Sequence, residues 1–310
     1  MRHFVQKHDG RIIAGLVLLA ALLAMIIPRI GETESTSFRA GDVGFSMQTP
    51  GGEMWVYGDS WINGRFIRNA ITLNGQYRGT LRDSSLSGWI WPGVPIRRSD
   101  GKILMYASQH QQAAAGMWGT KRIQTLKIVF DPAHPEKAQI TPMGSAPAWS
   151  ATSLQYRGDT LVYGVDQYHR SRVGYLDLEG NLIRTERIGA LISGRYSVVQ
   201  DGSGRWWTVG FLPWLSRRLV AYPMKDPTHL KSTSYRLLQT LPAPPAGWFV
   251  YDGLVHPELG GLLTWAENGK GPGGWYGLNR KPGFWPGILQ GDPASRIAAA
   301  ITPWQPLVGL

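Results

Sequence analysis

The sequence predicts an all-β fold, a five-bladed β-propeller, preceded by one N-terminal transmembrane helix. Three observations predict it: a composition rich in turn residues and aromatics, a hairpin pattern that recurs five times, and an apolar run near the N-terminus. Glycine occurs 39 times, proline 21 times and tryptophan 14 times among 310 residues. This composition favours many short strands joined by turns over long helices.

The first predicted element is a membrane anchor over residues 12–30. Residues 1–11 carry three basic side chains, and residues 12–27 are an unbroken apolar run. The run approaches the roughly 20 residues that span a bilayer, and no small-residue cleavage site follows it. We expect an uncleaved single-pass anchor in the cell membrane with a cytoplasmic tail, a polar linker at 31–37 and an extracytoplasmic domain at 38–310. A cleaved signal peptide is the alternative.

A hairpin repeat within residues 38–310 carries the fold prediction. Each copy is an apolar strand, a turn with Gly or Asp-Gly, and a second strand that ends near a small residue. The copies recur about every 45–60 residues, which leaves room for the four strands of a propeller blade. A two-sheet sandwich explains this recurrence less simply. The strand pairs lie at residues 42–48 and 54–61, 91–96 and 102–107, 153–156 and 160–166, 196–200 and 205–210, and 251–256 and 260–265.

Composition also excludes several kinds of site. There is no cysteine, so disulfides, thiolate zinc sites and a cysteine nucleophile are excluded. The seven histidines show no paired metal spacing, and we predict neither a metal site nor a cofactor. The net charge of +11 comes from scattered Arg and Lys residues, which is typical of a solvated basic surface; attraction to an anionic partner is the alternative. We predict no nucleic-acid partner.

Carboxylates near the first strands of the blades are the candidate catalytic groups. In a propeller these strands line the central channel, so polar residues on them converge. Carboxylate pairs from different strands suit glycoside hydrolysis, in which one acts as base or nucleophile and the other protonates the leaving oxygen. The candidates are Asp42, Asp59 and Glu258. The structural alternatives are a turn-closing role for Asp59 and a surface ion pair for Glu258.

Four further residues on or beside channel strands are candidate substrate-binding groups, because aromatic faces and polar groups bind sugar rings. Asp166 matches Asp59 in position at the end of a second strand, and its alternative role is an ion pair with Arg170 or Arg172. A carboxylate-binding cluster of sialidase type from Arg65, Arg68 and Arg195 is less favoured, because Asp-box turns are missing from the sequence. The four candidates are Trp91, Asp166, Tyr196 and Tyr251.

Three short motifs resemble a known family. They are Ala-Gly-Asp-Val-Gly at residues 40–44, Tyr-Gly-Asp-Ser-Trp at 57–61 with Arg68 and Asn69 just after, and His-Pro-Glu-Leu at 256–259. In these motifs the chain resembles the exported actinobacterial five-bladed propellers, formerly of unknown function, that include mycobacterial endo-D-arabinanases. The likeness spans most of residues 38–285. The first-blade motif of that family is Thr-Asp-Leu-Gly, and this chain lacks the threonine.

The resemblance implies acid/base cleavage of furanoside links in a cell-envelope polysaccharide. It implies Asp42 and Asp59 as the matching first-blade carboxylates, and Arg68, Asn69 and His256 as substrate-binding residues. The predicted function is therefore a membrane-anchored extracytoplasmic glycoside hydrolase whose partners are an envelope polysaccharide and, through its N-terminal helix, the membrane. The alternative is a non-catalytic propeller that binds envelope glycan or scaffolds an envelope complex.

Overall fold

The computed structural model describes most of the predicted propeller domain. The described residues are 38–63, 65–113, 119–189, 195–213, 215–244, 246, 248–259, 261–271 and 274–275. The predicted tail, anchor and linker at residues 1–37 lie outside them. Within the described ranges, no helix has the length and apolar character needed to cross a bilayer.

The described chain is all-β and includes a short 3-10 helix at Pro257–Leu259. The first large sheet is antiparallel and begins with a tight hairpin in which Thr49 pairs with Gly52. Gly52 has a φ of 118°, a conformation that favours glycine. The sheet order is β2 (Phe45–Thr49), β3 (Gly52–Tyr57), β6 (Ala70–Leu73) and β7 (Gln76–Gly79).

Three more sheets have the size of a blade. The second contains β8 (Trp89–Trp91), β9 (Pro95–Arg97), β10 (Ile103–Gln112), β11 (Thr120–Asp131) and β12 (His134–Pro142). The third contains β13 (Ser153–Tyr156), β14 (Asp159–Val165), β15 (Ser171–Leu176) and β16 (Leu182–Arg187). The fourth contains β17 (Tyr196–Gln200), β18 (Trp206–Phe211), β19 (Arg218–Asp226), β20 (His229–Leu230) and β21 (Arg236–Thr240).

Two smaller sheets complete the described part. One contains β1 (Phe38–Gly41), β4 (Ser60–Ile62) and β5 (Arg65–Ile67), and the other contains β22 (Trp248–His256), β23 (Leu262–Gly271) and β24 (Gly274–Trp275). Each of the five predicted hairpins is present as an antiparallel strand pair. The all-β, propeller-like arrangement is thus confirmed, with four sheets of four or five strands.

The strands β2, β9, β13, β17 and β22, called the inner strands below, each contact the next in chain order. β2 packs against β9 on one side and β22 on the other, and β22 also packs against β17. Hydrogen bonds join the remaining neighbours: Ser153 Oγ of β13 bonds to Pro95 O of β9 (3.2 Å), and Val198 N of β17 bonds to Thr152 Oγ1 just before β13 (2.9 Å). A bond from Val255 N to Ser197 Oγ (2.8 Å) adds to the contact between β22 and β17. These contacts form a closed ring of inner strands.

The core lies between consecutive sheets, where apolar faces pack together. One apolar cluster joins the third and fourth sheets around Tyr163 and Tyr222, and another joins β22 and β23 to the fourth sheet around Phe211. A smaller cluster packs Trp55 and Tyr57 against the segment that follows β22. Fully burying a large apolar side chain contributes roughly 1.5–3 kcal/mol, so these interfaces hold the inner-strand ends, and the polar groups on them, in place.

Candidate active site

Asp42 and Asp59 lie side by side at one end of the inner strands. The backbone N–H of Asp42 donates to the carbonyl of Asp59 (3.0 Å), and the N–H of Gly58 donates to the carbonyl of Asp42 (2.9 Å). Val43 and Gly44 turn the chain into β2 with φ values of 75° and 55°. Positive φ is unfavourable for a β-branched residue, and such strain is concentrated at functional sites.

The Asp42 carboxyl occupies a recess that depends on the lack of a side chain at Gly58. A Cβ atom on Gly58 would lie 2.2 Å from Asp42 Oδ1. The Oδ2 atom accepts a hydrogen bond from the Tyr251 hydroxyl (3.0 Å), whereas Oδ1 is buried with no hydrogen-bond partner among the described residues. Burial raises the pKa of Asp42 well above its usual value, and the nearby Asp59 and Asp252 carboxylates raise it further.

The Asp59 carboxyl is buried and held at both oxygens. Its Oδ1 accepts from Trp91 Nε1 (2.9 Å), and its Oδ2 accepts from Arg68 Nη1 (3.2 Å). Burial raises the pKa of Asp59 to about 6, against the opposing effect of the Arg68 guanidinium. Asp59 therefore ionises near pH 6, and Asp42 keeps its proton to a pH well above its usual range.

A third buried carboxyl, Asp252, belongs to the same group. It lies in a bulge of β22 with a φ of 53°, and its Oδ2 is 3.4 Å from Arg195 Nη1. The Arg195 guanidinium also lies over the Phe45 ring, 5.5 Å from its centroid. Burial raises the pKa of Asp252, and Arg195 opposes this rise.

The charges of this group balance when one carboxyl is protonated. Three buried or partly buried carboxyls, Asp42, Asp59 and Asp252, face two guanidinium groups, Arg68 and Arg195. A buried unpaired charge is costly, so a proton on one carboxyl is favoured. Asp42 is the group without a cation in contact among the described residues, which agrees with the direction of its pKa shift.

Aromatic side chains line the Asp59 side of the group. Trp91 packs against His110 with ring centroids 4.1 Å apart, and Trp89 lies 6.1 Å from Trp91. The Arg68 guanidinium lies 4.1 Å from the centroid of Trp89. Burial lowers the pKa of His110 to about 3, helped by nearby guanidinium groups, so this imidazole is neutral at physiological pH. Flat aromatic faces beside carboxyls suit the binding and hydrolysis of sugars.

The structure thus brings together five of the ten predicted site residues: Asp42, Asp59, Arg68, Trp91 and Tyr251. Asn69 lies next to Arg68 but bridges two backbone segments, accepting from Leu81 N (2.6 Å) and donating to Leu81 O (3.0 Å) and Ile90 O (3.1 Å). Its contacts hold the loop that leads to the Trp89–Trp91 strand.

Two other predicted residues make contacts in the third and fourth sheets, apart from this group. The Asp166 Oδ2 atom accepts from Arg170 Nε (2.8 Å) and Arg172 Nη2 (2.8 Å), the ion pairs that were its structural alternative. Burial tends to raise the pKa of Asp166, but the hydrogen bonds from Arg172 and Arg170 outweigh it and hold the pKa below its usual value. The buried Tyr196 hydroxyl donates to the carbonyl of Gly164 (3.0 Å).

His256 and Glu258 lie at the opposite ends of the inner strands, in a second polar cluster. His256 Nδ1 is 2.6 Å from Ser46 Oγ, and His256 Nε2 is 2.7 Å from Thr264 Oγ1. Ser46 Oγ also hydrogen-bonds Glu258 Oε1. Ser46, His256 and Glu258 line a channel cavity of about 1280 Å³. Asp42, Asp59 and Asp252 are not among the described residues that line this cavity.

Sequence reasoning missed Trp89 and His110 in the first cluster. The Trp-Ile-Trp order at residues 89–91 is a signal, since alternate residues of a strand face the same side. His110 pairs with Trp89 in the ladder next to a register shift at Gln109, and a bulge of this kind has no clear sequence signature. Among described residues, no three His, Asp or Glu side chains are arranged to hold a metal ion.

The chain matches no family model and no curated protein sequence. Solved structures do match it. A Bacteroides ovatus ATCC 8483 protein is 15% identical with a TM-score of 0.55, and the match covers 76% of this chain and 80% of that one. The GH43_1 enzyme from Xanthomonas citri complexed with xylose is 15% identical with a TM-score of 0.50, over 76% of this chain and 84% of that one.

A mutant α-L-arabinanase of Cellvibrio cellulosa is 11% identical with a TM-score of 0.50, over 86% of this chain and 99% of the arabinanase. At these identities the likeness concerns the fold. The chain has the propeller fold that glycoside hydrolases of the GH43 and arabinanase kinds share.

Proposed function

We propose that this protein is a glycoside hydrolase that cleaves a cell-envelope polysaccharide, of the arabinan type with furanoside links, by carboxyl acid/base chemistry. The observation that carries the proposal is the pairing of Asp42 and Asp59 on adjoining strand ends, both with raised pKa values. Titratable groups whose pKa values are moved apart by their surroundings are typical of acid/base pairs.

The two carboxyls have distinct roles in this proposal. Asp42, whose pKa is raised well above its usual value, donates its proton to the oxygen of the leaving sugar. Asp59 is ionised above about pH 6 and acts as base or nucleophile, with Arg68 and the Trp91 indole N–H stabilising its negative charge. Activity should therefore rise as the pH passes through about 6.

Three lines support a sugar substrate. Trp89 and Trp91 offer flat faces beside the carboxyls. The balanced charge of the cluster favours a neutral ligand over an anion. The proteins that share the fold include a GH43_1 enzyme complexed with xylose and an α-L-arabinanase, and the sequence motifs resemble the mycobacterial endo-D-arabinanase family.

The proposal includes a five-bladed propeller held at the membrane. The closed ring of five inner strands supports β22–β24 as the fifth blade. The apolar run at residues 12–30 supports a single-pass anchor with the propeller on the extracytoplasmic side, where an envelope polysaccharide is accessible.

The test is incubation of the protein with purified arabinan and other envelope glycans, followed by analysis of released oligosaccharides. Asp42→Asn and Asp59→Asn should abolish release, whereas Asp131→Asn should release as much as the parent, because exposed Asp131 caps a distant turn through an oxygen that Asn retains. Equal release by the parent and both site variants would refute the assignment of these carboxyls. Glu258→Gln tests the remaining predicted catalytic residue in the same assay.

The second candidate function is a non-catalytic glycan-binding propeller. Two observations favour it. Both Asp59 oxygens already accept hydrogen bonds from protein side chains, and Gly58 packs closely against Asp42 Oδ1. Binding of arabinan to the protein without release of oligosaccharides would support this function over hydrolysis.

A further inference from the structure

The channel cavity is lined at one end by polar side chains from every inner strand. These residues lie at or near the last positions of the inner strands, whereas Asp42 precedes β2 and Asp252 lies in the mid-strand bulge of β22. One polar residue comes from each of the five strands: Gln48, Arg97, Gln155, Gln200 and His256. We name this set the polar ring.

Two of its amides are fixed by their own hairpins. Gln155 Nε2 donates to Thr160 Oγ1 (2.8 Å), and Gln200 Nε2 donates to the carbonyl of Gly204 (2.9 Å). His256 is fixed in turn by Thr264, as described above. Side chains that are already ordered lose less conformational entropy when they bind a ligand.

An aromatic pair stands beside the polar ring, between the third and fourth sheets. Tyr156 and Trp206 are half-buried, both line the cavity, and their rings meet edge to face with centroids 5.8 Å apart. The Arg157 guanidinium lies 5.0 Å from the centroid of Tyr156. Amide groups that donate and accept hydrogen bonds beside aromatic rings match the hydroxyl edges and apolar faces of sugars.

We propose that the polar ring and the Tyr156–Trp206 pair form a second carbohydrate-binding site, which takes an oligosaccharide segment of a polysaccharide. A volume of about 1280 Å³ exceeds the roughly 300–1,000 Å³ of sites for small ligands, so the cavity accommodates several sugar units. This site goes beyond the proposed hydrolysis, because it uses none of the Asp42, Asp59 and Asp252 carboxyls.

A second site changes how the protein holds a polymer. When two sites on one protein bind the same chain, the second binding event is intramolecular and the overall affinity rises well above that of either site. The protein would then remain on its polysaccharide through the polar ring while the other end of the inner strands is free to exchange sugar segments.

The test is native gel electrophoresis of the full chain in gels that contain arabinan, xylan or laminarin, with retardation converted to a dissociation constant. The Asp42→Asn background prevents hydrolysis from consuming the polymer. Gln48→Ala and Gln155→Ala, both at exposed positions, should each weaken binding about fivefold through loss of a hydrogen bond. Trp206→Ala should weaken it on the order of tenfold.

Tyr168→Ala is the matched control, because Tyr168 is an aromatic residue that is 65% exposed and does not belong to the described lining of the cavity. It should bind like the background protein. The proposal is overturned if none of the three polymers retards the background protein, or if the exposed glutamine variants bind as tightly as it does. Release of oligosaccharides by the parent is a separate measurement, so failure of this site and failure of the proposed hydrolysis are distinguishable.

Discussion

The buried Asp59 should make the protein less stable as the pH rises from about 4 to about 6. Its folded-state pKa of about 6 lies about two units above the ordinary aspartate value of 3.8. At 1.36 kcal/mol per unit, this difference corresponds to about 3 kcal/mol. The folded state binds this proton more tightly than the unfolded state does, so the free energy of unfolding falls over this window and levels off above the folded pKa.

Replacement of Asp59 by Asn removes the titration and mimics the protonated carboxyl. Near pH 7 the variant should therefore be more stable than the parent by up to about 3 kcal/mol, and near pH 4 the two should be similar. The variant should lose hydrolytic activity at every pH. Such a gain in stability with loss of function is expected where an active site stores unfavourable electrostatics.

Urea unfolding at steps between about pH 4 and about pH 8 measures this difference. Asp42 and Asp252 also have raised pKa values, so the parent curve contains their contributions, and the difference between parent and Asp59→Asn isolates Asp59. Asp131→Asn is the control and should follow the parent. Parallel curves for the parent and Asp59→Asn would show that Asp59 titrates alike in the folded and unfolded states, and the electrostatic reasoning would fail.

Three further substitutions test the supports of the site and of the fold. Gly58→Ala should displace the Asp42 carboxyl, since the new Cβ would meet Oδ1 at 2.2 Å; we expect loss of oligosaccharide release, and a protein that is as active as the parent would contradict this. Asn69→Ala removes three buried hydrogen bonds to backbone groups and should lower the free energy of unfolding in urea by about 3 kcal/mol. An unchanged urea midpoint would contradict this. The Asp201 carboxylate accepts hydrogen bonds from Ser203, Arg205 and Trp207. Burial tends to raise the pKa of Asp201, but these hydrogen bonds outweigh it and lower the pKa to about 2. Asp201→Ala should therefore cost about 2–3 kcal/mol near pH 7, and Asp201→Asn clearly less; the stability contributed by this carboxylate should disappear as the pH falls from about 4 through about 2.

The strand pairs were predictable from local chemistry. Glycine-containing turns between short apolar runs mark all five hairpins, and the structure has each of them. The proximity of Asp42 to Asp59 followed from the same reasoning, because a hairpin brings the start of its first strand to the end of its second. This is local information, and local information is present in a single sequence.

The division of the predicted site into two clusters was not predictable in the same way. Tyr251 and His256 lie on one strand, β22, and five residues of extended chain span roughly 16 Å. They therefore lie at opposite ends of the channel, with Tyr251 on Asp42 and His256 on Ser46. The register between distant blades and the bulge in β22 decide which of the two clusters each side chain joins. The periodicity of the sequence reveals neither of them.

The closure of the ring between β22 and β2 has a consequence for how the protein is made. The bonds of Tyr251 to Asp42 and of His256 to Ser46 join residues 209 and 210 positions apart. Contacts of such separation form late, after most of the chain has been synthesised. Until then Trp55 and Tyr57 lack Leu259 and Leu262, two of the apolar neighbours that pack against them. Because both polar clusters cross this closure, neither is complete before β22 has docked on β2.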